Sequence, residues 1–165
     1  MDNSTVFKNN DGTYCVCFSE KIKQKLFELC SRATPKETGG ILIGTYSKDQ
    51  STAIITTIVS APKNSVSKQF SFLRGTKGLL KILDRSWDQG KYYLGEWHYH
   101  PNAQPIPSIQ DKEQMVKLSQ SKGLKCPEPI LIIVGGNYVK WRIKVMVFVN
   151  KQMVELKDDN NDTKS

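Results

Sequence analysis

The stretch Gly95–Asp111, GEWHYHPNAQPIPSIQD, holds both histidines of the chain, His98 and His100, with a proline straight after. In an extended segment, residues i and i+2 project to the same side. His98 and His100 therefore point together, while Trp97 and Tyr99 point the other way. Two imidazoles on one face can hold a single metal ion. Zinc suits them, since it takes nitrogen at about 2.0–2.1 Å and has no geometric preference of its own. A catalytic site needs a third ligand and an open fourth position. The nearest carboxylate downstream is Asp111, in the first turn of an expected helix, where the helix N-terminus favours its charge. The segment NAQPIP reverses the chain and can return Asp111 to the histidines. His98, His100 and Asp111 are thus the candidate ligands, with Zn2+ the expected cofactor.

Ser108 and Asp111 also read as a capping box, Ser-x-x-Asp ahead of a helix. The two readings are compatible, because Ser108 can cap the helix while its hydroxyl faces the metal. A catalytic zinc site further needs a general base. Glu96 lies two residues before His98 on the same strand face; Glu37 sits in a loop at the mouth of the strand GGILIG. Periodicity does not choose between them. Either carboxylate, beside a metal-activated water, can take its proton and hand it to a leaving amine.

The elements that must position these residues are legible along the chain. Tyr14–Phe18 reads as a strand, and Ser19 as the N-cap of an amphipathic helix, SEKIKQKLFELCSRA, ended by Thr34-Pro35-Lys36. ETGGILIGTYS and STAIITTIVSA read as strands joined by a turn at KDQ. Pro62–Gly78 reads mainly as a loop, with a short strand possible at FSF. GLLKILDRSWDQ is a second helix with a broad apolar face, stopped by Gly90. KYYLGEWHYH is a strand ended by Pro101, and a third helix runs from about Ser108 to Lys122. PEPILIIVGG and YVKWRIKVMVFV are two further strands, with a hairpin turn signal at Gly135-Gly136-Asn137. The order β-α-β-β-α-β-α-β-β points to a single α+β domain: a mixed, mainly antiparallel sheet flanked by helices. Residues 1–150 form this domain, and 151–165 are expected to be a polar, disordered tail.

A chain of 165 residues with 38% hydrophobic and 24% charged content is the size of one globular domain. It carries no leading apolar run and no stretch long enough to span a bilayer, so a cytoplasmic location and no membrane partner are expected. The net charge is +8. The lysines are dispersed rather than blocked, so an ordinary basic surface is expected and no nucleic-acid partner. The four cysteines, Cys15, Cys17, Cys30 and Cys126, make neither a disulfide framework nor a zinc knuckle, and read as small buried thiols.

Glu37 followed by TGGILIG, and then H-x-H-P-x6-S-x2-D with no gaps, resembles the JAMM (MPN+) motif of JAB-domain zinc metalloproteases. The order of elements is similar across roughly residues 14–150. The resemblance implies an MPN/JAB-like domain in which His98, His100 and Asp111 bind zinc. It implies Glu37 as the general base and acid, and Ser108 as a donor to the oxyanion of the tetrahedral intermediate. Glu96 becomes a structural residue. In this family the residue between the histidines is usually Ser or Thr; Tyr99 departs from that habit and puts the packing beneath the site in question.

The stretches ETGGILIG and GEWHYHP are similar to bacterial stand-alone deconjugases of antiphage (CBASS) or ubiquitin-like conjugation operons. That resemblance implies a zinc-dependent isopeptidase that removes a ubiquitin-like protein or CD-NTase-type nucleotidyltransferase from conjugates, cleaving after its C-terminal residue. The substrate tail would lie extended beside a strand, with Pro62–Gly78 placed to cover it. The alternatives are a peptidase that processes sulfur-carrier proteins and a catalytically silent binding scaffold. Such a scaffold usually lacks a ligand, and every motif residue is present here.

Overall fold

The computed structural model describes residues 3–67, 72–73 and 78–160. Strands β1 (Ser4–Lys8) and β2 (Cys15–Ser19) lead into helix α1 (Glu20–Ala33). Ser19 is extended, and its hydroxyl accepts from the Ile22 amide at 3.3 Å, as an N-cap does. Leu26 and Cys30, one helical turn apart, are the buried residues of α1. Next come β3 (Thr38–Tyr46), β4 (Thr52–Val59), the short pair β5 (Val66–Ser67) and β6 (Phe72–Leu73), and helix α2 (Leu79–Asp88). Of the FSF triplet, only Phe72 lies within the described residues, where it opens β6. Then follow β7 (Tyr92–Pro101), α3 (Ile109–Ser119), β8 (Ile130–Asn137), β9 (Lys140–Val149) and β10 (Gln152–Asp158).

The α+β class and the mixed sheet agree with the sequence reading, but the sheet is not open. It closes into a barrel in the order β1-β10-β9-β8-β7-β3-β4-β2. The pairs β2/β4 and β7/β8 are parallel and the other neighbours antiparallel. Closure depends on β1 and β10, two strands absent from the sequence reading. β1 pairs with β2 on one side and β10 on the other, tying the N-terminal strand to the C-terminal one.

The expected domain boundary at residue 150 is corrected in the same way. Positions 151–165 are not all tail, because 152–158 form a barrel strand that runs antiparallel to β9. The reason is plain in the residues. QMVELKD buries only Leu156 and STVFK only Phe7, so neither segment carries a strong apolar alternation. Their stability comes from ladder pairing. The hairpin turn after β8 also falls later than expected: β8 continues through Asn137, which pairs with Lys140 across Tyr138 and Val139.

The barrel interior is filled by Phe7, Phe18, Leu42, Ile55, Leu94, Trp97, Tyr99, Ile132 and Val145, joined by Leu26 and Cys30 of α1. Helix α2 covers the outer faces of β3 and β7, where Leu79 clusters with Ile41, Ile43, Tyr93 and Cys126. Helix α3 covers β8 and β9 through Met115, clustered with Leu131, Ile133, Met146 and Phe148. The outer face of β7 therefore runs in the seam between two helices. All four cysteines are free; Cys30 and Cys126 are buried as expected, but Cys15 and Cys17 are only partly buried. No helix among the described residues is long and apolar enough to cross a membrane.

Candidate functional site

The phase of β7 is set by an irregularity. Leu42 pairs with Gly95, but the next residue of β3, Ile43, pairs with Tyr93, leaving Leu94 as an extra residue. Gly95 has φ +152°, and a Cβ there would stand 1.9 Å from the Ile130 carbonyl oxygen, so only glycine fits. The bulge brings Tyr93 and Glu96, three residues apart, onto the same outer face. The Tyr93 hydroxyl donates to Glu96 Oε2 at 2.7 Å. Beyond the bulge the alternation is regular: Trp97 and Tyr99 enter the interior, and Glu96, His98 and His100 face outward.

Asp111 returns to this face through helix α3. Its Oδ1 lies 2.8 Å from His98 Nδ1 and its Oδ2 3.5 Å from His100 Nε2. The capping box is also made in full. The Ser108 amide donates to Asp111 Oδ2 at 2.8 Å, and the Asp111 amide donates to Ser108 Oγ at 3.0 Å. One carboxylate thus caps the helix and meets both imidazoles. Since Ser108 Oγ accepts from Asp111, its own O–H stays available as a donor.

The loop between β7 and α3 is held down on β8. The Asn102 amide donates to the Gly136 carbonyl and the Gly136 amide to the Ala103 carbonyl, both at 2.9 Å. A Cβ on Gly135 would stand 2.4 Å from the Ala103 carbonyl oxygen and 2.9 Å from the Pro105 nitrogen. Position 135 must therefore be bare for the loop to lie this close. Gly135 is also the residue paired with His100 across the β7/β8 ladder. Further along, the Ile106 backbone is the smallest of the influences that favour the protonated His100 ring. A backbone partner of this kind fixes the orientation of an imidazole. Neither contact was legible in the sequence, although PIP, with prolines on both sides of Ile106, signals a rigid segment.

Glu37 arrives from the other flank. In the β3/β7 register Gly39 faces His98 and Thr38 faces Tyr99. Glu37 is the residue immediately before Thr38, where the ladder begins. The electrostatics agree. Burial raises the Glu37 carboxyl pKa, His100 pulls it down, Asp111 pushes it up and His98 pulls it down, with a net upward shift. Burial likewise pushes Asp111 up, but hydrogen bonds from His100 and His98 and the nearby positive charge hold it well below the usual carboxylate range. For His100, burial favours the neutral ring, yet the Asp111 hydrogen bond and the charges of Asp111 and Glu37 raise its pKa overall.

The structure thus gathers Glu37, His98, His100, Ser108 and Asp111 around one point of the outer face. Glu96 stays apart as a fully buried acid held by Tyr93. A cleft of about 840 Å³ lined by Tyr46, Trp87, Tyr92 and Lys125 lies at the other ends of β3 and β7 and contains none of the five.

Among the described residues, no three His, Cys, Asp or Glu side chains are already spread around a common ion position. His98, His100 and Asp111 instead close on one another. The donors nonetheless fit a metal. Two ligands each about 2.0–2.1 Å from one ion stand roughly 3.3 Å apart in tetrahedral geometry. The 3.5 Å between His100 Nε2 and Asp111 Oδ2 is close to that spacing, whereas His98 Nδ1 lies 2.8 Å from the other oxygen, Oδ1, so the three groups must rearrange to share one ion. Two imidazoles and one carboxylate are an oxygen- and nitrogen-donor set suited to zinc.

A family model described as prokaryotic homologs of the JAB domain matches residues 19–144, and the chain belongs to that family. It is 38% identical over 131 residues to a CD-NTase/cGAS isopeptidase of Enterobacter hormaechei, covering 79% of this chain and 73% of the relative. It is 27% identical over 135 residues to a protein of Sinorhizobium fredii named a probable metalloprotease, covering 74% of this chain and 76% of that one. A CD-NTase/cGAS isopeptidase of Escherichia coli is 28% identical over 143 residues, with 84% and 86% covered. A solution structure of a Desulfitobacterium hafniense protein superimposes with a TM-score of 0.63 at 18% identity, over 84% of this chain and 87% of that one, which speaks for the fold alone.

Proposed function

We propose that this chain is a zinc-dependent isopeptidase, which releases a protein joined through its C-terminal residue to an amine of a target. The observation that carries this reading is the meeting of Glu37, at the end of the β3/β7 ladder, with His98, His100 and Asp111. His98, His100 and Asp111 hold the metal, which when bound supplies Lewis acidity and a hydroxide nucleophile near neutral pH.

The chain's own residues do the rest. Glu37, whose pKa is raised by burial, takes a proton from the attacking water and passes it to the departing amine. Ser108 directs its free O–H at the developing oxyanion while its oxygen caps α3. Glu96, turned to Tyr93, takes no part in proton transfer.

The relatives named CD-NTase/cGAS isopeptidases support a CD-NTase-type nucleotidyltransferase as the released protein, ahead of a ubiquitin-like protein or a sulfur carrier. Such a role belongs to bacterial antiphage defence in the cytoplasm. The test is to incubate a CD-NTase fused at its C-terminus to a fluorescent protein with wild type and with Glu37→Ala, and to read the products by intact-mass spectrometry. Wild type is expected to cut directly after the CD-NTase terminus, and Glu37→Ala to be slower by about 10²–10⁴-fold. Equal cleavage by both would remove Glu37 from the mechanism. A ubiquitin-like or sulfur-carrier fusion cut in its place would reassign the substrate, and no cleavage of any of them would favour a binding scaffold.

A further inference from the structure

Tyr99 stands between the two histidines but points the opposite way, into the barrel, where it is fully buried. Its ring meets Trp141 edge to face at 5.8 Å between centroids. A phenol at such a depth requires partners for its hydroxyl, and the two it has are informative. The Tyr99 hydroxyl lies 3.0 Å from Thr34 Oγ1 and 3.0 Å from the Gly136 carbonyl oxygen.

Each partner leads to a different half of the proposed site. Thr34 caps the C-terminus of α1: its amide donates to the Cys30 carbonyl, and its hydroxyl, 3.0 Å from both that carbonyl and the Tyr99 oxygen, shares its one proton between them while Tyr99 donates to Gly136. Only Pro35 and Lys36 separate it from Glu37. The following residue, Thr38, pairs with the main chain of Tyr99. Tyr99 therefore grips the short connection that carries Glu37 at both ends, by its hydroxyl at Thr34 and by its backbone at Thr38. Gly136 leads to the other half. The carbonyl that receives Tyr99 also receives the Asn102 amide, and the Gly136 amide donates to Ala103. Those two bonds fasten the start of the loop that runs to Ser108 and Asp111.

From these contacts we infer that Tyr99 is a positioning residue, whose hydroxyl ties the segment bearing Glu37 to the loop bearing Ser108 and Asp111. It touches neither substrate nor metal. The role rests on the hydrolase reading above only in what is being positioned; the tie itself is a property of the fold. A phenol does this where a smaller hydroxyl side chain would not, because the span from β7 across the interior to both Thr34 and Gly136 needs the length of the ring.

Tyr99→Phe removes the hydroxyl and keeps the ring against Trp141, and Thr34→Val removes the partner on one side together with that hydroxyl's contact to the Cys30 carbonyl. Hydrogen exchange by mass spectrometry on the full chain, with and without added Zn2+, reads the tie without any substrate. Tyr99→Phe is expected to speed exchange at least tenfold in two separate segments, residues 34–38 and 101–107, while β9 is unchanged. Thr34→Val is expected to speed only the first. On the CD-NTase fusion, Tyr99→Phe should lower kcat about tenfold with KM within twofold and the bound zinc unchanged. The double variant should be no slower than Tyr99→Phe alone.

Unchanged exchange in both segments, or a general rise that includes β9, would overturn the proposal, as would a wild-type kcat in a folded Tyr99→Phe. If Tyr99→Phe fails to fold, Thr34→Val decides alone: wild-type exchange at 34–38 overturns the tie. If no fusion is cleaved by wild type, the hydrolase reading fails, but the exchange result still settles the role of Tyr99.

Discussion

Asp111 Oδ1 stands 2.8 Å from His98 Nδ1, and the same carboxylate receives the Ser108 amide through Oδ2 at 2.8 Å. The helix cap and the histidine cluster are therefore one structure. Forming the first turn of α3 places the carboxylate against β7, and this is how a surface helix comes to complete a site on a strand.

That sharing makes the metal-free protein sensitive to pH in a defined direction. The His100 pKa is raised above its ordinary 6.5, burial being outweighed by Asp111 and Glu37. A raised histidine contributes stability that is fully present below its unfolded value and is lost as pH rises through the folded one. The lowered Asp111 contributes stability present above the ordinary carboxylate range and lost as pH falls through its folded pKa. The Tm of the chelator-treated protein should therefore decline as pH rises past about 6.5. Asp111→Asn should flatten that decline; a profile identical to wild type would show that the pair does not titrate as described.

Ser108→Ala separates the cap from the chemistry. Loss of an N-cap costs about 1 kcal/mol, which for a chain of this size lowers Tm by roughly 2–4 °C. Loss of an oxyanion donor costs about 10²–10³ in kcat. Both changes are expected, measured by thermal unfolding and by steady-state cleavage of the CD-NTase fusion. A fall in Tm with kcat unchanged would leave Ser108 as a cap alone.

Gly135→Ala tests the seat of the loop. The added methyl meets the Ala103 carbonyl at 2.4 Å and Pro105 at 2.9 Å, and main chain cannot yield as a side-chain tip can. The loop must lift, carrying Ile106 off His100 and shifting Asp111. Zinc affinity, measured by competition with a chromogenic chelator, should fall about 10–100-fold, the usual loss when a ligand's supporting partners are disturbed. Gly123→Ala, whose added methyl meets nothing closer than 4.0 Å, should leave it unchanged.

Much of this site could be read before the fold was known, for a physical reason. His98 and His100 share a face because strands alternate, and Ser108 and Asp111 fall at the spacing of a capping box. Both rules act over a few residues and survive any tertiary context. Glu37 was different: spacing alone left it level with Glu96, and only the resemblance preferred it. The β3/β7 ladder begins at Thr38, which leaves Glu37 at its end within electrostatic reach of His100, and the bulge at Gly95 turns Glu96 to Tyr93. Neither the register nor the bulge is written in local periodicity. The barrel was missed for a related cause. β1 and β10 bury one residue each, Phe7 and Leu156, so pairing rather than alternation defines them. The Pro62–Gly78 loop was expected to cover a substrate tail; it lies partly outside the described residues, and the part described holds the short β5/β6 pair.

Elemental analysis of the purified full-length protein tests the central claim most directly. The account predicts close to one zinc per chain in wild type, retention of that zinc in Glu37→Ala, and its loss in His98→Ala. A wild-type protein that binds no zinc when supplied with it, or a His98→Ala variant that keeps it in full, would contradict the metal centre on which the proposed hydrolysis depends.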